Sequence, residues 1–245
     1  MPINHNNGGS TQQVTPYVRK SGQPVEPDVY VRKNGSAVLV HDSSGSNWST
    51  LSSFESDPVT SGYEGETSDF TEHTSNPIAG SQSIEGTSSA DWIATTDIPT
   101  PRTDSNGNPV EYRLASRMDI DETMIPRVCV QDPSSGDGGY TNHYALRFTT
   151  GDNFQLQMRD GSTSTSVIAG KDLDQNPSEG DEYVLGIRLD SSDITGLLYE
   201  HAGNGDAGAK IDQITTTNTT HSGGYFGLAT GNSAGSVADE LRWNG

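Results

Sequence analysis

The feature that most constrains this chain is a two-residue alternation that stops and restarts along its length. In EYRLASRMDI, residues 111–120, Tyr112, Leu114, Met118 and Ile120 share one face, and Arg113, Arg117 and Asp119 the other. HYALRF (143–148) sets Tyr144, Leu146 and Phe148 against His143 and Arg147. FQLQMRD (154–160) sets Phe154, Leu156 and Met158 against Gln155, Gln157 and Arg159. YVLGIRLD (183–190) sets Tyr183, Leu185, Ile187 and Leu189 against Val184 and Arg188. A strand turns successive side chains to opposite faces, so each run predicts a strand with one face in a core and one toward solvent. Gly, Asn, Asp and Pro clusters separate the runs, and no stretch from Phe54 onward keeps a helical period beyond a turn or two. The expectation is an all-β fold, two antiparallel sheets packed face to face over residues 53–245.

Composition bounds the partners. Apolar residues make up 30% of the 245, and 33 acidic residues face 14 basic ones, of which only Lys20, Lys33, Lys171 and Lys210 are lysines. Low hydrophobicity with high net charge also marks disordered chains, but the recurring alternation argues against that here. Two readings of the acidity stay open: a protein of concentrated salt, where a Debye length of about 3 Å screens the self-repulsion, or an ordinary acidic extracellular protein. Either excludes duplex nucleic acid, whose phosphates need a basic footprint. The single cysteine, Cys129, allows no intrachain disulfide. No apolar run approaches the 18 residues of a membrane span. The opening MPINHNNGGSTQQ lacks a charged-then-apolar pattern, so synthesis in the cytoplasm without a signal peptide is expected.

The first 52 residues have a different texture. Residues 1–15 are polar without periodicity and predict a flexible arm, and 42–52 a linker. Between them, in 16–41, Tyr17-Val18-Arg19-Lys20-x-Gly22 returns thirteen residues later as Tyr30-Val31-Arg32-Lys33-x-Gly35. Up to residue 40 there are four basic and two acidic residues, which leaves 31 acidic and 10 basic beyond. The twin phrases predict a β-hairpin-like pair of strands joined by QPVEPD, whose prolines keep it from pairing. A lone two-stranded unit is marginal in water. Tyr17, Arg19, Lys20, Tyr30, Arg32 and Lys33 are therefore expected to form a basic attachment module that docks on acidic subunits, a solvent-exposed hairpin being the alternative.

Two resemblances extend this reading. SSFES, GYEGETSDF, GSQSIEGTS, then EGDEYVLGIRLDSSDITGLLYEHAGNGDAGAKI and the closing GGYFGLATGNSAGSVADELRW resemble the concanavalin A-like, laminin-G-type jelly-roll sandwich. The twin phrase resembles the Tyr-Val-Lys/Arg-x-x-Gly-x-Trp repeats of tailed-virus structural proteins, with Pro24 and Ala37 where the tryptophan usually stands. Together they imply a virion protein of a tailed virus infecting a salt-loving host: a tail fibre, baseplate or capsid decoration. Its sandwich would recognise host-surface glycans and its N-terminal module would dock it to other virion subunits. Assembly logic adds a homo-oligomer, trimer or pentamer. A purely structural turret or spacer, and a polysaccharide-degrading enzyme, are the rivals.

The candidate sites follow. A glycosidase needs paired carboxylates, and the Glu-x-Asp-x-x-Glu run of the glucanase branch is absent, MDIDETM offering only Asp119 and Asp121. GNSAG (231–235) matches Gly-x-Ser-x-Gly but is not followed by a helical pattern, as a nucleophile elbow requires. No catalytic residue is expected. Asp172, Asp174 and Asn176 have the 1, 3, 5 spacing of a Ca2+ loop, yet Pro177 stands where an EF-hand has glycine and Tyr183 where it has glutamate; an ordinary acidic turn is the favoured reading. The jelly-roll resemblance implies a second Ca2+ position bridging first and last strands, at Glu55 and Asp239. For a glycan, Arg113, Arg117, Arg147, Arg159 and Arg188 all fall on non-core faces, with Gln155, Gln157 and His143 between them. If their strands share one sheet, they form a strip suited to carboxylate or sulfate groups; alternatively each pairs with an acid across strands. Trp92, Tyr140 and Tyr144 offer a ring-stacking loop site instead.

Overall fold

A computed structural model of the chain describes residues 3–7, 10–14, 29–33, 36–41, 48–55, 60–132, 142–161 and 164–244. The chain divides into two units, Met1–Trp48 and Ser49–Gly245. In the first, β1 (Ile3–Asn7) pairs antiparallel with β2 (Ser10–Val14), and β3 (Val29–Lys33) with β4 (Ser36–His41). Residues 3–14, expected as a flexible arm, thus hold a two-stranded ladder; the intervening sequence Gly8-Gly9 is of the kind that two-residue hairpins select. The second copy of the twin phrase pairs with its own downstream residues, Tyr30 opposite Leu39, Arg32 opposite Ala37 and Lys33 opposite Ser36. Asn34-Gly35, the strongest short-range hairpin dipeptide, supplies the reason. Tyr17, Arg19 and Lys20 lie outside the described residues.

The second unit runs through β5 (Ser49–Ser52), β6 (Tyr63–Gly65), β7 (Phe70–His73), β8 (Ser83–Gly86), β9 (Trp92–Pro99), β10 (Val110–Arg117), β11 (Ile125–Val130) and β12 (His143–Phe148). It continues through β13 (Asn153–Arg159), β14 (Ser166–Asp172), β15 (Glu182–Leu189), β16 (Asp193–His201), β17 (Ala207–Thr217), β18 (Tyr225–Ala229) and β19 (Val237–Trp243). One sheet has the order β17-β16-β15-β10-β19-β8-β7, with β5 also on β19; the other has β14-β13-β12-β11-β18-β9-β6. All neighbours are antiparallel. This is the expected sandwich, entered earlier than expected: residues 49–52, read as linker, are a strand whose Ser52 lies opposite Leu241.

The alternation predicted the inner faces. Tyr112, Leu114, Leu185 and Ile187 from one sheet meet Leu146, Phe148, Phe154 and Leu156 from the other, all at most 1% exposed. Each outer face carries a smaller apolar cluster of its own. On the eight-stranded sheet it comprises Ile78, Ala115, Val184, Leu197, Tyr199 and Val237. On the seven-stranded sheet it comprises Trp92, Ala94, Ile125, Val130, Ala145 and Ala229. One strand breaks the period. The pairing of β11 with β18 shifts register between Arg127 and Val130, and Cys129 there takes φ +56°. Val128 and Cys129 both enter the core, while Ile125, Arg127 and Val130 stay outside.

Candidate functional site

Strand order decides which polar side chains can act together. Arg113, Arg117 and Arg188 lie on β10 and β15, neighbours in the eight-stranded sheet. Arg147 and Arg159 lie on β12 and β13, in the seven-stranded sheet. Both sets point away from the core, so the expected single strip is two sets on opposite sides of the sandwich.

The eight-stranded side carries acid–base pairs, one across β10 and β15 and one along β10. Arg117 donates through Nη2 and Nε to Glu182 Oε1, at 2.6 and 3.0 Å, and through Nη1 to the Asn76 carbonyl at 2.6 Å. Arg113 donates to Glu111 at 2.6 Å and lies 4.4 Å over the Tyr199 ring. Tyr199 closes that network by donating to Glu111 at 2.9 Å. Arg188 stands opposite Glu111 in register. A loop crosses this face, gripped by the two carboxylates expected to hold calcium. Asp239, fully buried, accepts from Ala79 N–H (3.0 Å), Ser83 Oγ (2.8 Å) and Glu240 N–H (2.8 Å). Glu55 accepts from Ser81 N–H at 2.9 and 3.1 Å and from the Ser81 hydroxyl. These oxygens face backbone and hydroxyl donors rather than a cation, and the pair does not fit a calcium site.

The turn carrying Asp172, Asp174 and Asn176 is tied down by Asp152, whose carbonyl accepts from Leu173 N–H (2.9 Å) and whose carboxylate accepts from Asn176 N–H (2.8 Å). Among the described residues no three His, Cys, Asp or Glu side chains converge as metal ligands. The stacking site is corrected too. Trp92 is 1% exposed beneath the outer cluster of the seven-stranded sheet, and Tyr144 is fully buried in the core. The Tyr144 hydroxyl donates to Asn218 Oδ1 (2.7 Å) and accepts from His221 N–H (2.8 Å). Tyr140 lies outside the described residues.

The seven-stranded side does gather three of the expected residues. Arg147 stands opposite Gln155, and Gln157, two residues along, donates to Gln155 Oε1 at 3.1 Å. At their end opens a hollow of about 360 Å³ lined by Asp121, Arg147, Thr149, Thr150, Asn153, Gln155 and Asn232, with Gly151. Glu122, fully buried, holds two of its lining residues in place. It takes Arg147 Nε and Nη2, the latter at 2.9 Å, and Asn232 N–H at 2.9 Å. Gly231 must be glycine here, because a Cβ would stand 1.5 Å from Glu122 Oε1. That contact accounts for the first glycine of GNSAG, which joins β18 to β19 with no helix following. Asp119 is likewise structural, its Oδ1 accepting from Asp121 and Glu122 N–H at 2.6 and 2.7 Å. Asn153, Thr149 and Asn232 were missed in the sequence because they stand at or beyond strand ends, outside the alternating runs.

Sequence reading also missed Arg127, at the centre of this face. Register places Ala94, Gly227, Arg127, Ala145 and Gln157 in one row across β9, β18, β11, β12 and β13. Nε and Nη1 of Arg127 are buried without an acceptor. Burial first, then the Arg159 charge, push its pKa down to about 10, against a smaller pull from Glu66.

A two-sheet antiparallel sandwich with this alternation and strand order is a lectin-like, concanavalin A-type jelly roll. The fold is similar to that of the exoplasmic/lumenal domain of VIP36 in its Ca2+-bound form, at TM-score 0.50 and 14% identity over 82% of this chain and 90% of that one. The Ca2+/Man2-bound form of the same domain gives TM-score 0.50 and 14% identity over 82% and 88%. Peanut lectin with a 9mer peptide gives 0.48 and 12% over 80% and 95%. At these identities the likeness is one of fold. No protein-family model and no curated protein matches the sequence.

Proposed function

We propose that the sandwich binds glycans, without catalysis, through the hollow on the outer side of the seven-stranded sheet. One observation carries the reading: the lining pairs amides and hydroxyls with a single arginine and a single aspartate. Amides and hydroxyls both donate and accept, which suits a ligand studded with hydroxyl groups. The volume falls at the lower end of small-ligand pockets, roughly 300–1,000 Å³. A jelly roll similar in fold has been solved bound to Man2. The reading makes no use of calcium, since Glu55 and Asp239 serve backbone and hydroxyl donors.

In the same proposal the chain is a virion protein of a tailed virus infecting a salt-loving host. Its N-terminal unit docks it to acidic virion subunits as part of a trimer or pentamer, and the glycan belongs to the host surface. The acidic, lysine-poor composition and the basic twin phrase support this. The paired arginines of the eight-stranded side favour a second reading, a structural spacer without a ligand. Binding of the full chain to haloarchaeal surface glycoprotein in molar salt, intact against deglycosylated, separates the two. Binding that disappears on deglycosylation, and falls at least tenfold in Asn153→Ala/Gln155→Ala, is the expected result. Absence of binding to both preparations leaves the spacer.

A further inference from the structure

Among the described residues, the orphaned buried side-chain atoms include three donors on the outer side of the seven-stranded sheet: Arg127 Nε, Arg127 Nη1 and Trp92 Nε1. A buried donor without an acceptor is destabilising, the more so when it is charged. Glu66, the acid whose charge acts on Arg127, does not relieve it. Its carboxylate instead accepts from the Trp92 backbone N–H at 3.0 Å, and no ion pair joins it to Arg127 among the described residues. The second guanidinium nearby, Arg159, is 7% exposed and adds like charge. In a chain of net charge −19, acids to neutralise this spot are abundant, yet strand β11 sets Arg127 between Gly227 and Ala145. These small neighbours keep the row low above the sheet. Arg127 as a residue is half-buried, and Nη2 is the guanidinium nitrogen that is not sealed with Nε and Nη1.

Register relates this spot to the hollow. Arg147 is two residues along β12 from Ala145, the residue opposite Arg127. With strands ~4.8 Å apart and ~3.4 Å per residue, the two arginine Cα atoms stand about 8 Å apart. Two long side chains at that spacing can address one short glycan.

We infer that Arg127 receives an oxyanion, a carboxylate or sulfate, carried by the sugar next to the one seated in the hollow, so that the glycan recognised is acidic. The inference rests on the glycan-binding reading and adds the substrate class to it. Planar guanidinium suits either group.

The test uses the full chain in 2 M NaCl on an array of matched neutral, uronic-acid and sulfated glycans, with Arg127→Gln and Arg127→Lys beside the wild type. Acidic glycans are expected to bind at least tenfold more tightly than their neutral partners. Arg127→Gln should erase that margin while neutral binding persists, and Arg127→Lys should keep part of it. An acidic preference unchanged in both variants, or none in the wild type while neutral glycans bind, overturns the inference and leaves the hollow as the site. Should Arg127→Gln not fold, the lysine variant decides alone. A second measurement follows arginine Nε–H signals of the wild type during titration with inorganic sulfate and with glucuronate. A signal that moves with both, and is missing in Arg127→Lys, while no array glycan binds, means an adventitious ion only. That outcome sinks the glycan reading and the inference together.

Discussion

Asp239 shows what a single buried carboxyl does in this fold. Burial raises its pKa from 3.8 to about 6, while hydrogen bonds from Ser83, Ala79 and Glu240 hold it from going further. The folded chain therefore keeps this proton more tightly than the unfolded one. The sign follows: the stabilisation from protonation is full below about pH 4, is lost as pH rises through 6, and is flat above. Relative to Asp239→Asn, which cannot titrate, the wild type is expected to lose on the order of 2–3 kcal/mol between pH 4 and pH 7.5. Urea unfolding of both proteins across that range measures it; parallel pH profiles would refute the assignment. Single residues were also where sequence reading was least complete. Arg102 looks like any surface arginine in PRTDSN, yet it is 7% exposed and donates to three carbonyls, of Asp190 (2.7 Å), Asp193 (3.0 Å) and His221 (3.1 Å). Nothing local announces partners roughly 90 to 120 residues away.

At the level of elements, the loop through residues 78–83 depends on two carboxylates reached from opposite ends of the chain, Glu55 and Asp239. Gly80 sits where they allow it: φ is +56°, and a Cβ would stand 1.8 Å from Glu55 Oε1. Gly80→Ala is expected to cost about 2–4 kcal/mol, of which roughly 1–2 is the left-handed backbone itself. In a Glu55→Ala background only the backbone part should remain, because the overlap is gone. A double-mutant cycle by urea unfolding reads the difference, and strict additivity would show that Glu55 does not press on this loop. Elements also show why the fold was legible and the site only partly so. Period-two runs such as FQLQMRD assign inner and outer faces from neighbouring residues alone, and those assignments hold in β10, β12, β13 and β15. Sheet membership depends instead on distant pairings: β10 joins β15 and β19 and not β11, so five outward arginines divide between two sides. Arg127 stayed hidden because the bulge at Val128 and Cys129 breaks its alternation within the apolar run IPRVCV. Trp92 and Tyr144 misled because aromatic content says nothing about whether a ring is covered.

For the whole molecule, the net charge of −19 and the proposed acidic ligand make opposite demands. At low ionic strength the long-range field of the protein repels an anionic glycan, whatever Arg127 and Arg147 offer at contact. The Debye length falls from about 10 Å at 0.1 M salt to about 3 Å at 1 M. That removes the repulsion felt at a distance, but leaves hydrogen-bonded contacts inside the half-buried row largely unscreened. The usual salt dependence of an arginine–anion association is therefore expected to invert. Surface-plasmon measurements with a uronic-acid glycan should show the association rate rising several-fold between 0.1 and 2 M NaCl, with the dissociation rate changing less. The same screening relieves self-repulsion in the fold, so thermal unfolding followed without ligand must accompany the series, to separate a faster encounter from a larger folded fraction. If the association rate falls with salt while the protein stays folded throughout, attraction rather than repulsion governs the encounter. The glycan would then meet a local basic field stronger than the acidic shell, and the high-salt setting proposed for this protein would lose its physical support.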